Sequence, residues 1–202
     1  MEVTSVAVGG QVRTKFVFMS RKYKIRDQSQ LYFITFAVVG WIDVFTRREY
    51  CDILIESLKY CQREKGLVLW AWCIMSNHVH LIVSRSKAFL IEAIIRDFTK
   101  YTSVQLCRTI AANRSASRRD WMLSYFSRAA VESKKHSQYM FWQNDYHPVE
   151  LSTKAIMDQK LAYIHDNPVR AGIVERGEDY VYSSAKDYYS GTQGLLDIAF
   201  IT

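Results

Sequence analysis

The chain has 202 residues, of which 49% are hydrophobic and 14% aromatic, enough for one domain with a hydrophobic core. Its formal net charge of +7 favours a polyanionic partner such as nucleic acid, although charge alone decides little. No apolar run has the length of a membrane span, the N-terminus lacks the pattern of a signal peptide, and the cysteines show no CxxC spacing. We therefore expect a cytoplasmic protein with reduced thiols.

The first predicted elements follow an N-terminal extension. Residues 1–30 are expected to lie outside the core, and Met19 offers an alternative start of translation. Residues 31–39 are rich in β-branched and aromatic side chains, which predicts a strand. Residues 47–65 carry apolar side chains at helical spacing and stop at Gly66, a residue suited to a helix C-cap.

A hairpin and a long helix are predicted next. Residues 67–74 and 78–84 have the composition of strands, and the short segment 75–77 between them has the composition of a turn. Residues 88–111 form an amphipathic pattern with a period of 3.6 residues, which predicts a helix. The polar and basic residues 113–119 predict a loop after that helix.

Predicted helices and a predicted strand alternate in the second half of the chain. Residues 121–135 are predicted to be a helix, 139–143 a strand, and 154–165 a helix that ends at Pro168, because proline disfavours continuation. Residues 169–202 read as a tail with several glycine turns. This order predicts an α+β fold in which helices pack on one face of an antiparallel sheet.

Two of the five histidines lie one residue apart on the second hairpin strand. Alternate side chains of a strand point to the same face, so His78 and His80 are predicted to stand side by side, with Val79 on the opposite face. Two imidazoles on a rigid strand make half of a metal site. The pair alone is weak evidence, because two histidines at this spacing are as often ordinary polar strand residues as metal ligands.

The last predicted helix carries a second candidate pair. Tyr163 and Asn167 are four residues apart and therefore share one helix face. Asparagine offers a neutral oxygen ligand and tyrosine an oxygen nucleophile, so together with the two histidines they would form a site for a metal and a phosphate. The alternative is that Tyr163 packs in the core and Asn167 only ends the helix before Pro168.

Three segments resemble the single-tyrosine transposases of the HUH (His-hydrophobic-His) superfamily, and the REP-associated tyrosine transposases in particular. They are MSNHVHLI at 75–82, YIHDNPVRAG at 163–172 and YSSA at 182–185. The resemblance implies a ferredoxin-like fold, with a catalytic domain over residues 31–190 and a C-terminal tail over 191–202. It also implies a DNA transposase that cuts and rejoins single-stranded DNA next to imperfect hairpins, and hence association with the nucleoid.

The resemblance also implies a role for each candidate residue. His78, His80 and Asn167 would be the metal ligands, and Tyr163 the nucleophile that forms a 5′-phosphotyrosine intermediate. A ligand set of two imidazoles and an amide suits Mg²⁺ or Mn²⁺, although imidazole also accepts zinc. Asn77 and His147 are candidates for supporting positions next to the ligands, Asn77 at the turn and His147 in a loop.

Basic side chains in the middle of the chain are candidates for contacts to DNA phosphates. Each of them alone is more often a solvated charge, and the cluster after the long helix is the best group. The candidates are Arg96, Lys100, Arg114, Arg118 and Arg119.

Two other functions remain open from the sequence. One is a related HUH nicking endonuclease, although such proteins often carry a third histidine or paired tyrosines. The other is a domesticated protein that binds hairpin DNA without cutting it. The oligomeric state is expected to be a monomer or a homodimer, because some relatives exchange the tyrosine helix between two subunits.

Overall fold

A computed structural model describes residues 25–87, 89–134, 137–144 and 146–201. The predicted extension up to residue 24, with Met19, lies outside these ranges. An antiparallel sheet of four strands forms the centre, in the order β2-β3-β1-β4. Its strands are β1 Tyr32–Ala37, β2 Leu67–Ile74, β3 His78–Arg85 and β4 Val149–Glu150.

Among the described residues, five α-helices and two 3₁₀ turns pack around the sheet. The helices are α1 Arg48–Lys65, α2 Ile91–Ala112, α3 Arg119–Glu132, α4 Lys154–Arg170 and α5 Ala185–Tyr189, and the 3₁₀ turns are Val39–Trp41 and Gly177–Asp179. The expected α+β class with a ferredoxin-like sheet is confirmed. In this topology the strand that carries the two histidines lies in the middle of the sheet, between β1 and β2.

The two faces of the sheet bury different side chains. Val79 and Leu81 of β3 belong to the large core that also contains apolar residues of α1, α2 and α3. Ile82 points to the other face and joins a smaller core with Ile164 of α4. The prediction of helices on one face therefore holds for α1, α2 and α3, whereas α4 covers the opposite face. His80, which has the same parity as Ile82, lies on the α4 side.

One local prediction for the middle of the chain is wrong, and one boundary differs by a residue. Residues 139–143 do not form a sheet strand, and only an isolated bridge joins Trp142 to Val38. Phe141 and Trp142 are both buried, and Trp142 Nε1 donates to Thr102 Oγ1 at 3.0 Å, so these aromatic residues fill the core instead of alternating across a sheet. The predicted loop 113–119 is shorter than expected, because α3 already begins at Arg119.

The predicted tail covers the free edge of β2. The Ile74 N–H donates to the Tyr182 carbonyl at 2.9 Å, the Ser184 N–H to the Trp72 carbonyl at 2.9 Å, and the Ala199 N–H to the Leu69 carbonyl at 2.8 Å. These bonds satisfy backbone groups that an edge strand would otherwise expose.

Both predicted domain boundaries have contacts across them. Ile25 is buried in the large core, and Gln28 Oε1 accepts the N–H of Ile91 at the start of α2 at 2.9 Å. Leu196, in the predicted tail, is also buried. The boundaries at residues 30 and 190 remain predictions. Within the described ranges, no helix is long and apolar enough to cross a membrane.

Candidate active site

The two histidines of β3 lie side by side on the face that α4 covers. Their ring centroids are 4.6 Å apart, with an angle of 73° between the ring planes. Val79, between them, is fully buried on the opposite face. The period of two residues in a strand therefore sets both the separation and the common direction of the imidazoles.

Hydrogen bonds to the Nδ1 atoms orient both rings. His78 Nδ1 lies 2.7 Å from Asn77 Oδ1, and His80 Nδ1 lies 2.7 Å from Thr35 Oγ1. Asn77 Nδ2 donates to Asp43 Oδ1 at 3.0 Å, which sets the orientation of the amide. Because Asn77 Oδ1 can only accept, His78 Nδ1 carries the proton, and the lone pair of its Nε2 is free for a ligand.

His80 has an unused nitrogen in a buried place. Its side chain is only 3% exposed, and its Nε2 has no hydrogen-bond partner. Burial lowers the pKa of His80 to about 3, with smaller contributions from the charges of His78 and Lys160. The imidazole is therefore neutral at physiological pH, which is the form that binds a metal ion.

The chemistry of this pair fits a divalent cation, but the remaining ligands are less defined. In the part of the chain that is described, no group of three or more His, Cys, Asp or Glu side chains could hold a metal ion. Asn167 uses its Nδ2 to donate to the Tyr163 carbonyl at 3.0 Å, and its role as ligand stays a prediction.

Helix α4 presents Tyr163 to the histidines. The Tyr163 ring contacts His80 with centroids 5.2 Å apart and meets the edge of Phe33 at 6.0 Å. Tyr163 is 36% exposed, so it lies at the surface of the site and not in the core. The structure thus brings Tyr163, His78 and His80 together, as the sequence hypothesis requires.

The tyrosine helix continues beyond its predicted end. Helix α4 extends to Arg170 and contains Pro168. A proline near the C-terminal end removes only one backbone hydrogen bond, and its φ is compatible with a helix, so the helix passes through it at moderate cost. Asn167 therefore lies within the helix, one turn after Tyr163.

Lys160 is a site residue that the sequence analysis missed. Its Nζ lies 4.8 Å from the Phe33 ring centroid and 5.5 Å from that of Tyr163. The spacing of three residues to Tyr163 on a helix is the signal that could have identified it. It places a positive charge beside the candidate nucleophile.

A buried histidine fixes α4 against the C-terminal segment. His165 Nε2 shares a hydrogen bond of 2.8 Å with Ser184 Oγ, and its Nδ1 lies 3.3 Å from the Tyr189 hydroxyl. Burial lowers the pKa of His165 to about 4, so the ring is neutral. Ser184 Oγ also accepts the Trp72 N–H at 3.0 Å, so the segment YSSA connects α4 to β2.

The candidate DNA contacts fall into two regions. Arg96 and Lys100 are exposed on α2 and line a groove of about 770 Å³ between α2 and residues 137–146. Arg118 lies at the start of α3 and donates from Nη1 to the Asp43 carbonyl at 3.2 Å, next to the loop that holds Asn77. The other two cations of this cluster are the exposed Arg114 and the half-buried Arg119, and Arg119 pairs with Asp120.

His147 does not share strand β3 with His78 and His80. It is exposed in the segment just before β4, whose Val149 pairs with Phe33 of β1. Strand β1 separates this segment from β3. Its supporting role remains a prediction.

Comparison with family models places residues 32–135 in the family described as IS200-like transposases. The chain belongs to the IS200-like transposase family. The matched range contains both histidines of β3 and ends before α4, so the family match does not include Tyr163. No curated protein matches the chain.

Two solved structures resemble this IS200-like transposase. One is a REP-associated tyrosine transposase bound to a REP hairpin, with 15% identity and a TM-score of 0.60, covering 91% of this chain and 96% of the other. At that identity the likeness shows the fold. The second, from Deinococcus radiodurans R1 and provisionally assigned as a transposase, has 20% identity and a TM-score of 0.37 over 72% of this chain and 96% of its own.

Proposed function

We propose that this IS200-like transposase cleaves and rejoins single-stranded DNA beside a hairpin, with Tyr163 as the nucleophile. The observation that carries the proposal is the contact between the part-exposed Tyr163 ring and His80, a buried neutral imidazole with an unpaired Nε2. A nucleophile next to an unused ligand nitrogen is the pair that metal-assisted phosphoryl transfer requires.

The proposed reaction is a transesterification at one phosphate. Tyr163 Oη attacks the phosphorus, forms the phosphotyrosine bond and breaks the bond to the 3′ oxygen. The upstream strand leaves with a 3′-hydroxyl, and the downstream strand stays attached to the protein through its 5′-phosphate. The tyrosine proton is lost to solvent or a base, and the leaving oxygen gains one. Attack by another 3′-hydroxyl reverses the step and rejoins DNA.

His78, His80 and Asn167 are the residues that would hold a divalent cation, Mg²⁺ or Mn²⁺. When bound, the cation supplies positive charge that offsets the charge of the reacting phosphate. Asn77 and Thr35 support this role, because their hydrogen bonds keep the Nδ1 atoms occupied and the Nε2 atoms available.

Charged residues of the chain would hold the DNA. The Lys160 ammonium, beside the Tyr163 ring, would contact the same phosphate and stabilise negative charge there. Arg96 and Lys100 on α2 would bind phosphates of the flanking strand or the hairpin stem. A hairpin substrate is supported by the hairpin in the similar structure of the REP-associated transposase.

The experiment that tests the proposal is covalent trapping on a denaturing gel. The protein is incubated with labelled single-stranded hairpins from the DNA that flanks its gene, with Mn²⁺ or with a chelator. We expect a shifted band with Mn²⁺ in the wild type, and no band in Tyr163→Phe. Tyr101→Phe is the matched control, because Tyr101 is an exposed tyrosine on α2 and should leave the band unchanged.

Other outcomes lead to different functions. A band that persists in Tyr163→Phe would place the nucleophile elsewhere, and a band that survives chelation would refute the metal. Tight hairpin binding without any band would favour a non-catalytic hairpin-binding protein. Cleavage without transfer to a second strand that carries a 3′-hydroxyl would favour a nicking endonuclease.

A further inference from the structure

Three aromatic side chains lie in the region of His78 and are here called the aromatic strip: Trp121 and Tyr125 of α3, and Trp41 of the 3₁₀ turn. The Trp121 and Tyr125 rings have centroids 6.0 Å apart. The Trp41 ring meets His78 edge-on at 5.7 Å. Trp41 is 55% exposed and Trp121 53% exposed, so the two tryptophans present ring surface to solvent and not to the core.

Trp41 has an uncommon backbone conformation that two hydrogen bonds hold in place. Trp41 has a φ of 53°, a left-handed conformation that a large side chain rarely adopts and that costs free energy. Its N–H donates to the Val38 carbonyl at 2.9 Å, and its carbonyl accepts from Asn77 Nδ2 at 3.3 Å. Strained residues of this kind concentrate at functional sites.

The preceding glycine joins the turn to α3. A Cβ atom at Gly40 would lie 2.5 Å from Tyr125 Oη, so the turn can approach Tyr125 only with glycine at this position. Gly40 therefore brings the turn that carries Trp41 close to Tyr125 of α3.

Two guanidinium groups lie on the strip. The Arg118 group is 5.4 Å from the Trp121 ring centroid, and the Arg128 group is 5.2 Å from the Tyr125 ring centroid. Arginine cations over exposed aromatic rings match the two features of a single DNA strand, which are charged phosphates and flat bases.

We propose that the aromatic strip binds the unpaired bases next to the phosphate that reacts at His78. The bases stack on Trp41 and Trp121, and Arg118 and Arg128 contact the backbone. This inference rests on the proposed function in placing a DNA strand at His78. Since every base has a flat face, the strip would hold the strand without selecting its sequence.

The test measures the affinity of fluorescein-labelled oligothymidylate by fluorescence anisotropy, in a Tyr163→Phe background that cannot react. We expect Trp41→Gly and Trp121→Ala each to weaken binding about tenfold, the loss of one stacked base. Glycine suits the positive φ of residue 41, so this variant removes the ring without adding strain. Tyr101→Ala removes an exposed ring on α2 and should bind as the parent does.

A second experiment tests whether the lost affinity comes from base stacking. Hairpins with a single abasic nucleotide at successive unpaired positions are bound to the parent and to Trp41→Gly. At the position that stacks on Trp41, we expect the abasic change to weaken the parent about tenfold and to leave Trp41→Gly unchanged. Equal losses in both proteins at every position would overturn the proposal.

The outcomes separate this proposal from the proposed function. If wild type forms the Tyr163 adduct while Trp41→Gly and Trp121→Ala bind oligothymidylate like the parent, the strip proposal is wrong and the catalytic one stands. If the variants lose binding but no adduct ever forms, the strip binds DNA and the catalytic proposal fails. A dimer that Trp121→Ala converts to a monomer, with DNA binding unchanged, would make the strip a protein interface and overturn the proposal.

Discussion

At the scale of single residues, the free-energy cost of burying the unpaired Nε2 of His80 bears most directly on the function of the site. A buried polar atom without a partner costs about 1–3 kcal/mol, and the Nε2 of His80 is such an atom. A ligand bound to this nitrogen would recover the cost, so the unpaired Nε2 supports a metal site when taken together with the neighbouring ring of His78.

Lys160 gives a prediction at the same scale. Lys160→Met keeps the apolar stem beside Phe33 and removes the charge beside Tyr163. We expect adduct formation to slow by about 100-fold, because one charge that stabilises the reacting phosphate is lost. The measurement is the single-turnover rate of adduct formation at saturating hairpin DNA with Mn²⁺.

Two variants make this prediction specific. Lys160→Arg keeps the charge and should recover much of the rate. Lys154→Met removes a lysine at the exposed start of α4, where it pairs with Asp158, and should have the wild-type rate. An unchanged rate in Lys160→Met would exclude a role of Lys160 in the reaction.

The sequence predicted those site residues whose relation depends on local periodicity. His78 and His80 are two apart on a strand, and Tyr163 and Asn167 are four apart on a helix, so secondary structure alone puts each pair on one face. The contact of Thr35 with His80 depends on the pairing of β1 with β3. No local pattern carries that information.

At the scale of elements, a buried hydrogen bond adds to the apolar packing that positions α4 on the sheet. α4 lies on the opposite face from α1 and α2, and the His165–Ser184 bond ties it to the segment along β2. A shift of α4 would move Tyr163 relative to the histidines of β3. The distance from Tyr163 to His78 and His80 therefore also depends on a contact on the other side of the helix.

Ser184→Ala tests this connection. The change leaves the His165 ring nitrogen and the Trp72 N–H without their partner, so we expect the free energy of unfolding to fall by about 1–3 kcal/mol. Adduct formation should also slow, since α4 is less well fixed. Denaturant unfolding and the single-turnover rate measure the two effects.

Ser190→Ala is the control for this test. Ser190 is an exposed serine at the end of α5, and its loss should change neither quantity. If Ser184→Ala unfolds at the same denaturant concentration as Ser190→Ala, the bond does not stabilise α4. Ser184→Ala with lower stability but a normal rate would make the bond structural only.

Element prediction from sequence failed where tertiary packing overrides local pattern. Residues 139–143 have the aromatic composition of a strand, but Phe141 and Trp142 both turn into the core. The true fourth strand, Val149–Glu150, is two residues long and carries too little pattern to detect. The C-terminal segment beside β2 is held by backbone bonds, which the sequence does not record.

At the scale of the whole molecule, charge is distributed unevenly between two grooves along α2. The groove between α2 and the described residues 137–144 and 146 is lined by the cations Arg96, Lys100 and Arg108, and none of the described residues in its lining is Asp or Glu. The groove between α1 and α2 has four carboxylates in its lining, Glu49, Asp52, Glu56 and Asp97, and two cations, Arg63 and Lys65. Of these two grooves, the first therefore has the more positive lining among the described residues.

The salt dependence of DNA binding tests whether the cations of the first groove contact DNA phosphates. A cation that contacts a phosphate releases counterions, and each contact contributes about 0.7 to the slope of log K against log salt for a single strand. Arg96→Gln/Lys100→Gln should therefore lower the slope by about 1.4, a change read from anisotropy titrations over a series of salt concentrations. Lys59→Gln/Arg63→Gln removes the same charge from α1 and should leave the slope unchanged, because neither residue lines the first groove. Lys59 and Arg63 pair with Glu56 and Glu64, and Arg96 pairs with Asp97, so ion pairs are present in both sets. Equal slopes in the two double variants would mean that net charge, and not the first groove, attracts the DNA.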